Sequence, residues 1–303
     1  MNWLRDTSHI GLELTEREIR MAQVKKTRQG YELAHAAIIP LPEGDKDNGL
    51  IARLIREAVA GAKLPSRVVT AVPGSEVLLR PLLLPAMPDE ELEEAVRHEA
   101  EAWLSGFQGD KIISFIKTAN LVNDGVNMQE LLVVAARRDG VDKLTGLMGE
   151  AGLETVAMDV QPLALARCAL LAGRDYWGQR GRVETFAVVK TGIATTLVTV
   201  IHHDTVRFAR VIPYGSLAAR KVVVEVGRSL DFCMAELGLE VARVYLAGSG
   251  ANPKGLGQVM VRELDVEIVD FNPLKLLAAG TSLPEEKGSA MAVAMGLALK
   301  EVN

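Results

Sequence analysis

Apolar and polar residues alternate near the N-terminus in HIGLEL, IRMAQVKK and YELAHAAIIPLPEG, interrupted by TERE and TRQG. Alternation of period two between turn-forming residues predicts three strands joined by two hairpins. The same plan returns in FAVVKT, TTLVTVIH and TVRFARVIPYGS, and both third strands end in Ile-Pro, at Ile39-Pro40 and Ile212-Pro213. Two β-meanders about 175 positions apart suggest a duplicated architecture.

Between the meanders the pattern predicts a helix near Asn48 to Ala62, a strand RVVTAVPG, and a strand-like VLLRPLLLP in which Pro81 marks an edge or a bend. In PDEELEEAVRHEAEAWL, Pro88, Asp89 and Glu90 suit a first helical turn, and Leu92, Val96, Glu99 and Trp103 fall on or near one stripe. Strands KIISFIKTANLV and QELLVVAARR, a helix from Asp139 to about Ala151, strand LETVAMDV and helix QPLALARCALLAG follow. After the second meander come a helix over Ser216 to Leu237, strand VARVYLAGSGA, a helix over Pro253 to Leu264, strand VEIVDF and a final helix. Strands alternating with helices define an α/β class. GRDYWGQRGR, Gly173 to Arg182, is the best boundary by composition. The expected division is residues 1–180 as a first domain carrying an insert at about 77–152, and 181–303 as a second, with the final helix (about 288–303) returning to the first.

Composition narrows the function. With 303 residues, 49% hydrophobic, 24% charged and a net charge of -5, the chain is ordinary globular material with no electrostatic reason to bind nucleic acid. Cys168 and Cys233 lie in apolar helical segments without ligand spacing, so buried thiols in a reducing compartment are expected. No apolar run approaches the roughly 18 residues of a membrane span, and MNWLRDTSHIG has no secretory core. A cytoplasmic location is expected.

Six blocks in order then carry a resemblance: AVPGSEVLLRPLLLPAMPDEELEEAVRHEAEAWL, ELLVVAARRDGVDKLTGLMGEAGLETVAMDVQPLALARC, VVEVGRSLDF, VYLAGSGANPKGL, DFNPL and AMGLALKEV. The sequence resembles the type IV pilus assembly PilM family, the FtsA-related branch of the actin-like fold, over nearly its whole length. That resemblance implies a two-domain actin-like fold of duplicated β-meander and helix units with a small inserted α+β subdomain. It also implies an ATP cleft built from two phosphate hairpins and a Gly-rich adenosine turn. Backbone amides at glycine turns approach phosphate closely, and an acidic side chain holds magnesium through water.

Here the family's first Asp-x-Gly becomes Glu13 to Thr15, followed by Glu16 and Glu18, and the second becomes Lys190-Thr191-Gly192. Reversing a charge about 4 Å from a charged partner changes the interaction by a few kcal/mol at an effective dielectric of about 20. That would remove magnesium, or replace it with a lysine held directly against phosphate. The adenosine turn is retained as Gly248, Ser249 and Gly250, and Glu225 with Arg228 matches a helix position facing the ribose. ATP binding is thus left open and magnesium disfavoured. A purely structural glycine turn is the alternative for Gly248 to Gly250, and a solvated hairpin edge is the simpler reading of Glu13, Glu16 and Glu18. His202 and His203 could suggest a metal pair, but adjacent strand residues point to opposite faces, which favours a solvated turn.

No local motif supports Ser-His-Asp or Cys-His chemistry, and no Asp is placed as a sugar-kinase base. The expected function is a scaffold of a type IV pilus or related secretion machine. It would hold the cytoplasmic tail of a PilN-like inner-membrane protein, meet other cytoplasmic components, and reach the membrane only through a partner. With Asn303 just after the last helix, an FtsA-type membrane tail is not expected. The expected groove lies between the N-terminal subdomain and the insert, with Leu82, Leu84, Trp103, Phe107 and Phe115 as candidate lining or core. An active actin-like ATPase or small-molecule kinase is the rival, and a filament-forming element a third reading.

Overall fold

The computed structural model describes residues 9–28, 30–44, 47–104, 107–180, 184–249, 253–275 and 283–302, with side chains outside 172–180 and 253–254. The first meander is β1 (Ile10–Leu14), β2 (Glu18–Thr27) and β3 (Gly30–Pro40). After α1 (Asn48–Gly61), β4 (Arg67–Val72) pairs parallel to β1. The insert follows: β5 (Val77–Pro85), α2 (Asp89–Trp103), β6 (Lys111–Asn123) and β7 (Val126–Arg137) form a three-stranded antiparallel sheet in the order β5-β7-β6, covered by one helix. Then come α3 (Arg138–Glu150), β8 (Glu154–Val160) and α4 (Gln161–Arg180). The first sheet is ordered β3-β2-β1-β4-β8.

The second half repeats the plan with β9 (Thr185–Thr191), β10 (Thr196–His202), β11 (Thr205–Ile212), α5 (Ala219–Leu237), β12 (Arg243–Ala247), α6 (Gln258–Glu263) and β13 (Glu267–Asp270). Its sheet is ordered β11-β10-β9-β12-β13, a meander extended by two parallel strands as in the first half. A meander needs only hairpins, whereas each parallel addition needs a crossover, and helices fill those crossovers. The chain closes with a 3-10 segment (Glu285–Met291) running into α7 (Ala292–Ala298).

Local chemistry explains the helix ends. Asp47 caps α1 by accepting the Leu50 amide at 2.6 Å. Three carboxylates occupy the first turn of α2. Gly238, at φ +64, ends α5 in the left-handed region and donates its amide to Cys233. On α2 the buried stripe is Leu92, Val96 and Ala100, so Glu99 is exposed rather than inward. The stretch from Gly173, expected as the domain boundary, is helical through Arg180, while 181–183 lie outside the described residues.

One hydrophobic cluster joins the two sheets: Val69 and Ala71 from the first, Phe186, Val188 and Tyr245 from the second, with α4 and α7 between. All seven residues of α7 are buried. Gly11 and Gly296 permit this approach, since a Cβ at Gly11 would lie 2.1 Å from the Ala294 carbonyl oxygen and one at Gly296 1.8 Å from that of Ala164. The lobes therefore share a base, and their strand ends face each other across a cleft.

Candidate functional site: the cleft between the lobes

Three turns meet in the cleft. The first, after β1, has no glycine, and Thr15 closes it instead. Its hydroxyl donates to the Glu18 carbonyl at 2.9 Å and accepts the Glu18 amide at 3.0 Å. The second, between β9 and β10, is pinned by the Gly192 amide donating to Thr195 at 2.8 Å, while the Gly192 carbonyl accepts from Ser216. The third follows β12: Gly248 has φ +101, donates its amide to Ser289, and would drive a Cβ to 2.3 Å from the Thr191 carbonyl oxygen. Only glycine lets that turn press against the second hairpin. Gly250 lies outside the described residues.

The side chains between these turns form a closed ionic cluster. Glu13 is 1% exposed, which corrects its reading as a solvated edge. β1 is an interior strand between β2 and β4, and the second lobe covers its end. One carboxylate oxygen accepts from Arg20 Nη1 at 3.2 Å, and the other accepts from Gln161 Nε2 at 3.3 Å and from Lys190 Nζ. Arg20, 4% exposed, also donates to Glu18 Oε2 at 2.8 and 3.0 Å, to Ser249 Oγ at 3.3 Å and to the Ala290 carbonyl at 3.1 Å. Burial alone would raise the Glu13 pKa, but Lys190 and Arg20 outweigh it and hold the carboxyl below its ordinary value. Glu16 stays exposed at the turn.

Beside the cluster lies a cavity of about 620 Å³. Leu14, Leu144 and Leu147 give it apolar walls, while Glu18, Lys143 and Lys190 supply charge. Glu225 and Arg228 do not join it. They pair with each other at 2.5 Å on α5, and Glu225 also accepts from Arg210 at 2.7 Å. Burial opposes ionisation of Glu225, yet its two arginines prevail and lower its pKa.

The five apolar candidates in the insert lie together. Leu84 is buried in the cluster of Leu92, Val96, Leu131 and Val133, and Leu82, Trp103, Phe107 and Phe115 pack against it. They contribute to the core that α2 makes with its sheet, Leu84 buried and the other four half-buried. His202 and His203 have ring centroids 4.1 Å apart, because His203 opens a turn at φ +46 and leaves the strand alternation. Among the described residues no three His, Cys, Asp or Glu side chains gather as a metal site.

Sequence reasoning did not single out Arg20 and Gln161. A usable sign existed for Arg20, since Glu13 and Arg20 are directly opposed in the β1–β2 register, and opposed strand residues of opposite charge pair.

Comparison with known structures defines the class first. A protein of actin-like ATPase fold and unknown function from Bacteroides thetaiotaomicron matches with TM-score 0.55 at 8% identity, covering 98% of this chain and 97% of that one. The ethanolamine utilization protein EutJ from Carboxydothermus hydrogenoformans matches with TM-score 0.53 at 16% identity, covering 98% and 91%. The fold is thus actin-like. A chain of a PilM-PilN type IV pilus biogenesis complex matches with TM-score 0.78 at 25% identity over 96% of this chain and 97% of that one. The model of the type IV pilus assembly protein PilM family matches residues 11–219, and the chain belongs to that family.

Proposed function

We propose that the protein is a non-enzymatic cytoplasmic scaffold of a type IV pilus or related secretion machine. In this reading it holds the cytoplasmic tail of a PilN-like inner-membrane protein, and its nucleotide cleft is degenerate. The observation that carries the partner assignment is the whole-length likeness to a PilM-PilN complex. The membrane is reached through that partner, in keeping with the lack of any described helix long and apolar enough to cross one.

The tail's proposed seat is the cavity where the β1–β2 turn and Gly74–Glu76 face α3, since α3 offers Leu144 and Leu147 with the exposed Lys143 at the rim. Its volume falls within the roughly 300–1,000 Å³ of ordinary ligand sites. An extended peptide there would gain backbone hydrogen bonds and apolar pockets together.

The residues do not fit a magnesium-bound triphosphate. Glu13, at the metal-side position of the first hairpin, already accepts from three donors. Lys190 stands where the resemblance implies the second acid. The intra-chain pairing of Glu13 and Lys190 supports loss of ATP hydrolysis.

Two titrations test the reading. A synthetic peptide of the partner's cytoplasmic tail should bind the purified protein, and Lys143→Glu should weaken it while the distant Glu57→Lys does not. Calorimetry with ATP, with and without magnesium, should show no magnesium-dependent binding. Tight magnesium-dependent binding would refute the degenerate cleft, and a tail that does not bind would refute the scaffold role.

A further inference from the structure

Glu13 and Lys190 each stand one residue before the end of equivalent interior strands in the two lobes, and their charged atoms meet although they stand 177 residues apart. Lys190 is 11% exposed and Glu13 1%. Arg20, from the first lobe, reaches Ser249 of the second and the Ala290 carbonyl ahead of α7. The lobes share a core through α4 and α7, and the cluster borders that base, with Gln161 at the start of α4 and Ala290 just ahead of α7 among its partners. Separating the lobes would strip a buried carboxylate of a cationic partner, which is unfavourable in a poorly hydrated site.

We propose that the Glu13–Lys190 pair is a resident latch, holding the two lobes together in the ligand-free protein through the ionic bridge that a metal-bound anion would otherwise bring. The proposal rests on the reading of the cleft as one that has lost metal-bound nucleotide. Its consequence is mechanical. The β1–β2 turn and the Gly192–Thr195 turn, which line one cavity from opposite lobes, stay at a set separation without any ligand. A docking surface drawing on both lobes is then formed in advance, and its affinity is not reduced by an open population.

The test measures interlobe distance directly. Spin labels are placed on cysteines introduced at the exposed positions Arg53 on α1 and Glu236 on α5, whose helices pack on the first and second sheets respectively. Native Cys168 and Cys233 are buried. By pulsed dipolar spectroscopy the wild-type pair should give one narrow distance distribution without nucleotide, unchanged by magnesium-ATP. Lys190→Met should broaden it and shift it longer, and Lys190→Arg, which keeps the cation, should restore the narrow form. If Lys190→Met does not fold, Glu13→Gln supplies the same readout. A folded Lys190→Met or Glu13→Gln protein that keeps the wild-type distribution overturns the latch. Magnesium-ATP binding to wild type by calorimetry would overturn the reading of the cleft, while the latch would still stand or fall on the distances in these variants.

Discussion

Gly11→Ala tests the seat of α7, and through it the cleft. The added Cβ would lie 2.1 Å from the Ala294 carbonyl oxygen and 2.3 Å from the Ala298 amide nitrogen. Against a favourable separation of about 3.5 Å, the deficit is roughly 1.4 Å. Both obstacles are backbone atoms, so no rotamer change relieves them and the helix must withdraw from β1. Overpacking costs about 1–3 kcal/mol, and an unyielding backbone contact belongs at the upper end, near 3 kcal/mol. For a chain of 303 residues, with an unfolding entropy of about 2.1 cal/mol/K per residue, that corresponds to a fall in Tm of about 5 °C. Withdrawal would also drag Ala290 and Ser289, which accept from Arg20 and the Gly248 amide, so the turn at Gly248 should loosen with the helix. Scanning calorimetry reads the first effect and amide hydrogen exchange at Gly248 the second. A Gly11→Ala protein that melts within about a degree of wild type would refute the close seating of α7 on β1.

Other substitutions probe the remaining layers. Gly146 sits exposed inside α3, where an added Cβ would meet nothing within 4 Å, so Gly146→Ala should stabilise by about 0.5–1 kcal/mol in urea titration. Arg207→Met would leave Glu130, 8% exposed, with the Thr118 hydroxyl as a side-chain donor. A loss of about 1–2 kcal/mol is expected after allowing for the part-exposed arginine, with faster hydrogen exchange in β7. Burial pushes the Cys168 thiol up to about 12 and that of Cys233 up to about 11. A thiol reagent at about pH 8 should therefore label both only after denaturant is added. Glu13 titrates below its ordinary value of 4.5 when folded. Its contribution is thus present above that value and lost as pH falls from there through the depressed folded value. The stability gap between wild type and Glu13→Gln, followed by urea midpoint from about pH 6 to pH 3, should close with acidification.

The strands and their duplication were legible because each rests on a local rule. Period-two alternation of residue type between turn residues marks β1, β2 and β3, and the paired Ile-Pro endings at Pro40 and Pro213 mark the repeat. Glycine content at 173–182 reports turn tendency alone, and it did not reveal that α4 is carried through Arg180. Helix interiors accept glycine at about 1 kcal/mol when packing elsewhere compensates.

The site failed in sequence for a different reason. Alternation tells which residues share a strand face, but not what arrives to cover that face. Glu13, Glu16 and Glu18 look alike in composition, yet Glu13 is sealed beneath the second lobe and Glu16 remains in solvent. Their difference comes from Lys190, which no window of neighbouring residues contains. A carboxylate with no glycine beside it and a lysine in place of an acid read as two separate losses along the chain. In three dimensions they are one compensated change: each charge is tolerable in the buried cleft because the other is present, and substituting either alone leaves its partner without its principal cross-lobe counter-charge.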